Sequence, residues 1–192
     1  MKKFKSVLLL VAVLLMTSSA FSLLRVEGTY SSFAKQAGYG IGVNFPLIPF
    51  LDTTLYYHML GDANITATGT PSFGDFTLSE GATKINASAI ELQAKLPFAI
   101  MDVAIGGSVL FDLGTIDSTP GIVPGSLYGG LYAHYQQGIV PMVHWFAQAG
   151  FLSKLWDGEK AINDEIGAGA SLDMGAIDRS GMYFRVGIAA GL

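Results

Sequence analysis

The chain has 192 residues, 51% of them hydrophobic and only 14% charged, with a mean hydropathy of +0.45 and a net charge of −4. That length suffices for one domain with a full core or for one small barrel. Ordinary soluble domains carry about 25% charged residues; here no run of 18 or more apolar residues follows the N-terminus and cysteine is absent, which excludes helical membrane spans, disulfides and thiolate chemistry.

Lys2, Lys3 and Lys5 precede an unbroken apolar run from Val7 to Met16, and Ala20-Phe21-Ser22 puts small residues at the two positions a signal peptidase reads. Residues 1–22 are therefore expected to be a cleaved secretory signal, leaving residues 23–192 as one domain. Ten apolar residues are too few for a membrane anchor. Removing three of the eleven basic residues leaves eight against fifteen acidic ones, a net charge of −7 that argues against nucleic acid as a partner.

The rest of the chain alternates apolar and polar with a period of two, the signature of strands with one greasy face. Val26 and Tyr30 oppose Arg25, Glu27 and Thr29; Tyr39, Ile41, Val43 and Phe45 oppose Gly38, Gly40, Gly42 and Asn44. Pro46 and Pro49 end that strand, because proline cannot donate to a ladder. Residues 51–61 alternate Leu55, Tyr57 and Met59 against Asp52, Tyr56 and His58. Residues 62–83 read as a long polar loop. In 84–96 the apolar phase slips from odd (Ile85, Ala87, Ala89) to even (Ile90, Leu92, Leu96), which predicts a β-bulge near Ala89.

The clearest alternation is 101–113, where Val103, Ile105, Val109 and Phe111 oppose Asp102, Ser108 and Asp112. Thirteen residues suit a tilted strand that needs roughly 9–11 to cross a bilayer. A second polar loop, 114–125, precedes strands at 127–136 and 142–156. Asp157 to Lys160 form a third polar loop. Residues 165–174 alternate Ile166, Ala168, Ala170, Leu172 and Met174 against Glu165, Gly167, Gly169, Ser171 and Asp173, and 182–192 close the chain with Met182, Phe184, Val186 and Ile188 against Tyr183, Arg185 and Gly187.

Nine candidate strands result, while single-chain bacterial outer-membrane barrels use even numbers. The expectation is 8 to 10, with 8 favoured by length. A signal peptide, some 170 mature residues, short turns alternating with long polar loops and an alternating closing strand resemble small bacterial outer-membrane β-barrels, the OmpA-like, OmpX-like and OmpW-like proteins. The resemblance is architectural and spans residues 23–192. It implies an all-β, single antiparallel up-and-down transmembrane barrel in the cell outer membrane, with outer-membrane lipid and the barrel-insertion machinery as partners. In those families the closing strand usually ends on an aromatic residue; here it ends on Leu192, and Phe184 is the nearest aromatic on its apolar face.

The polar faces supply the candidate functional residues. Arg25, Glu27, Asp52, His58, Glu91, Lys95, Asp102, His134, His144, Glu165, Asp173 and Arg185 are expected to form a paired network filling a narrow lumen, since an eight-stranded interior is just wide enough for side chains. Facing glycines at 40, 42, 106, 130, 167, 169 and 187 are expected to leave gaps holding ordered water. His134 and His144 flank the turn near Ile139 and are expected to pair, whereas His58 sits too far along another strand for a three-histidine metal site. No nucleophile elbow, phosphate loop or zinc spacing occurs. Neither catalytic residues nor a cofactor nor a specific ligand is indicated. The function that follows is structural or surface-interacting, with loops 62–83 and 114–125 exposed. The alternatives are a barrel narrow enough to pass small solutes, or a secreted lipocalin-like barrel enclosing an apolar ligand. The last needs the apolar face turned inward, and too little charge lies on the other face for a water-facing surface.

Overall fold

The computed structural model describes residues 24–48, 51–74, 76–97, 102–116 and 119–191; the expected signal segment lies outside them. Eleven strands occur among the described residues: β1 (Arg25–Ser32), β2 (Ala37–Ile48), β3 (Leu51–Thr68), β4 (Ser72–Phe73), β5 (Phe76–Thr77), β6 (Gly81–Pro97), β7 (Val103–Ile116), β8 (Thr119–Val140), β9 (Val143–Trp156), β10 (Ser171–Asp173) and β11 (Gly181–Gly191). One helix, α1 (Gly158–Ile166), and a 3₁₀ turn (Gly175–Ile177) interrupt them. β1, β2, β3, β6, β7, β8, β9 and β11 pair in that order, each antiparallel to its neighbours, and β11 returns to β1. The result is a closed eight-stranded barrel without a free edge among those pairings.

The period-two pattern decides which way each face turns. Val43, Tyr57, Leu92, Ile105, Val109, Leu131, Phe151, Phe184, Val186 and Ile188 project outward and are exposed, Leu131 at 76%. Glu27, His58, Glu91, Gln93, His134, Gln148 and Arg185 project inward and are buried. Water would penalise so continuous an apolar exterior, and a hydrocarbon surround would not. The inverted arrangement required by a lipocalin-like barrel is thereby contradicted. Outward aromatics pair on the wall, Tyr30 with Tyr39 and Tyr135 with Trp145, at ring-centroid distances of 5.5 and 5.4 Å.

Inward glycines do not leave the expected gaps. Four lie directly across the ladder from a ring that fills their space: Gly42 from Tyr56, Gly106 from Tyr132, Gly150 from Tyr183 and Gly187 from Phe146. An aromatic ring lying over a cross-strand glycine buries its face without crowding. Gly40 is filled likewise by His58 and Thr29, and Gly130 by Leu152. Gly106→Val is therefore expected to cost about 1–3 kcal/mol by overpacking. Gly28→Ala, whose new methyl meets nothing within 4 Å, should be nearly silent. Urea unfolding of the refolded variants measures both.

Three further expectations change. Residues 165–174 are not a barrel strand: Glu165 closes α1, and the stretch 171–173 forms only the short β10, paired with Thr66–Thr68 at the end of β3. Alternation of small and polar residues over so short a span fits either state, and Asp157, whose side chain accepts from the Lys160 N–H at 3.2 Å, starts a helix instead. Segments 62–83 and 114–125 are largely strand extensions, not exposed loops, and Ala63, Ile65, Ala67, Phe73, Leu78, Ile116 and Val123 are buried within them. Finally, β6 has no bulge. Its odd residues face inward throughout, and its pairing with β7 is unbroken. The apolar phase switches because the interior changes character, apolar beside Ile85, Ala87 and Ala89 and polar beside Glu91, Gln93 and Lys95. The bulge lies on the partner strand, between Met59 and Gly61, where Gly61 takes φ +77°.

Candidate functional site

The interior has two storeys. Toward the rim that carries the short connections, the side chains are polar. Arg185 on β11 is the hub: its Nη2 donates to Glu91 Oε2 and lies 3.2 Å from His58 Nε2, its Nε donates to Ser31 Oγ at 2.8 Å, and its Nη1 donates to Gln148 Oε1 at 3.0 Å. Arg185, Glu91 and His58 are all at or below 1% exposure. His58 Nε2 is 2.8 Å from Glu91 Oε2, whose other oxygen accepts from Gln93 Nε2 at 2.8 Å. Gln148 carries the network on, donating to Gln93 Oε1 at 3.1 Å and lying 3.0 Å from His134 Nδ1. Lys95 Nζ is 3.4 Å from His134 Nε2. Beneath the guanidinium lies the Tyr56 ring, 4.5 Å from its centroid, and the Tyr56 hydroxyl donates to Glu27. A charge removed from water survives only if its hydrogen bonds are replaced, and six strands supply them here.

Of the twelve residues expected in the lumen, the structure joins Glu27, His58, Glu91, Lys95, His134 and Arg185 through these contacts. Asp52 and Arg25 are half-buried nearer the rim, with Asp52 opposite Lys95 in the ladder. His144 is half-buried at the same end but faces Gly138, so it does not pair with His134, which faces Gln148. β8 runs to Val140 and β9 starts at Val143, so the turn falls at 141–142 rather than at Ile139 and sets a different register. Asp102 is exposed, before β7 begins. Glu165 on α1 and Asp173 on β10 are exposed too, outside the barrel wall, because their segment is not a barrel strand. Tyr56, Gln93, Gln148 and Ser31 were missed as participants although they share the inward phase of their strands. Among the described residues no group of three histidines and carboxylates could hold a metal ion.

The upper storey is apolar. Leu60, Ile65, Ile85, Leu110, Val123 and Leu152 of the wall and Phe33 of the β1–β2 connection pack with Phe73 and Leu78 of the β4–β5 hairpin region, Ile162 of α1, Leu172 of β10, and Met174 and Ile177. Asn163 fastens α1 to β10 with two bonds to the Leu172 backbone, at 2.8 and 2.7 Å. The Met174 N–H donates to Glu159 at 2.9 Å. Asp178 accepts from the Ser180 N–H at 2.9 Å and its hydroxyl at 2.7 Å, and pairs with Lys154 at 3.7 Å. Burial raises its carboxyl pKa, but the Ser180 bonds and the Lys154 charge outweigh that and hold it below its ordinary value.

A closed antiparallel barrel with an apolar outer wall and a hydrogen-bonded polar interior is the architecture of a transmembrane β-barrel. Similar solved structures include a major outer membrane protein of Thermus thermophilus (TM-score 0.50, 13% identity, covering 88% of this chain and 98% of that one). Others are the N-terminal β-barrel domain of Pseudomonas aeruginosa OprF (0.48, 8%, 88% and 96%) and Neisserial surface protein A (0.47, 12%, 88% and 94%). At such identity the likeness to the Thermus protein establishes the fold alone, that of outer-membrane β-barrels. No family model and no curated protein matches the sequence.

Proposed function

We propose that the chain is exported by residues 1–22, inserted by the barrel-insertion machinery, and resides in the outer membrane as a closed, non-enzymatic barrel. Its long-connection end faces outward, as long loops do in barrels of this kind. The working part is the cap of α1, β10 and the β4–β5 hairpin, in a structural or surface-interaction role. The observation that carries this reading is the buried Arg185–Glu91–His58 cluster, roofed by the apolar upper storey. Side chains from opposite walls meet across the bore, and an eight-stranded barrel has no room to spare. The apolar belt supports lipid as the surround.

Planar-bilayer recording on purified protein tests the closed lumen. The expected trace is flat at moderate voltage. Large, steady conductance steps would make the barrel a narrow solute-passing one instead.

A further inference from the structure

The cap contains one contact that its apolar surroundings do not require. Arg179 comes from the strap between the 3₁₀ turn and β11, enters the upper storey, and is 0% exposed. Its Nε donates to Asp112 Oδ1 of β7 at 3.1 Å, and Asp112 is 1% exposed. Phe33 lies 5.8 Å from the guanidinium carbon. Neither Arg179 Nη1 nor Nη2 has a hydrogen-bond partner among the described residues, and the Tyr128 hydroxyl is the other hydrogen-bonding group acting on the Asp112 carboxyl. The Arg185 cluster is the opposite case, with bonds from Nε, Nη1 and Nη2.

A buried ion pair with most of its bonding capacity unused holds less firmly than apolar side chains of the same volume would. Both groups gain water if the strap lifts. The strap ends at Gly181, whose φ of +116° is an angle that other residues rarely adopt. Besides this pair, Met174 and Ile177 pack into the apolar storey, the Met174 N–H donates to Glu159 at 2.9 Å, Asp178 pairs with Lys154, and Lys35 Nζ donates to the Gly175 carbonyl at 2.7 Å.

We propose that residues 174–180 form a displaceable stopper in the outer mouth, with the Arg179–Asp112 pair as its releasable pin. The strap closes when the pair forms and opens when either charge is satisfied elsewhere. This rests on the membrane-barrel reading and adds a second closure above the Arg185 network.

The absence of cysteine from the chain allows a direct test. Ile177 belongs to the stopper and its side chain is buried against the barrel's apolar storey, so Ile177→Cys provides a single thiol whose reaction with a water-soluble maleimide, added outside protein-bearing vesicles, reports opening. Adding Asp112→Asn should speed labelling about tenfold or more, because Arg179 then lacks its carboxylate. Adding Arg179→Met with Asp112→Leu should slow labelling below the Ile177→Cys parent. Heat-modifiable gel mobility confirms that each barrel is closed. Equal rates for Asp112→Asn and parent would overturn the proposal, and so would an apolar pair that labels as fast as the parent or faster. Labelling reads the strap alone. A conducting lower lumen would appear in bilayer recordings and leave these ratios unchanged.

Discussion

Glu91→Ala is expected to destabilise the barrel by about 3–5 kcal/mol, the cost of stranding a buried charge. Glu91 is the only carboxylate bonded to Arg185 among the described residues, and its removal leaves a guanidinium at 1% exposure with only the neutral partners Ser31 and Gln148 and the His58 ring. His58 and Gln93 lose an acceptor at the same time. Removing both charges should behave differently. Glu91→Leu with Arg185→Met eliminates the stranded ion, and its stability should return to within about 1–2 kcal/mol of the parent or exceed it. Urea titration of protein refolded in detergent micelles, followed by Trp145 and Trp156 fluorescence, measures both. A double variant no more stable than Glu91→Ala would show that the bore depends on side-chain volume rather than on charge pairing.

The second large effect lies on the other face of the wall. Val109 is 47% exposed midway along β7, so Val109→Arg should cost roughly 2–4 kcal/mol in a bilayer. Ser79→Arg, at an exposed position of the cap, should change stability by less than about 0.5 kcal/mol. Folding titrations into lipid vesicles separate the two, and equal effects would count against lipid as the surround.

Much of this barrel was legible because a period of two survives wherever one face meets lipid and the other meets a packed interior. All eight barrel strands correspond to alternating segments of the sequence, and Glu27, His58, Glu91, Lys95, His134 and Arg185 fall on the inward phase of theirs. The alternation misled where the environment changed along a strand. Ile85, Ala87 and Ala89 keep β6's inward phase but enter an apolar storey, so a change of solvent looked like a change of register. The strand extension Asp62 to Thr68 was read as a loop because its outward residues Asp62, Asn64, Thr66 and Thr68 are polar, although Ala63, Ile65 and Ala67 keep the period of two and turn inward. Arg179 sits in an aperiodic strap, and only the folded chain brings it to Asp112, 67 positions away.

Fractionation of cells expressing the full chain tests the membrane barrel most directly. The chain should sediment with the outer membrane, resist extraction by carbonate and urea, and migrate differently on gels before and after boiling, as closed barrels do. Recovery in the soluble periplasmic fraction, with one mobility whether boiled or not, would contradict the account.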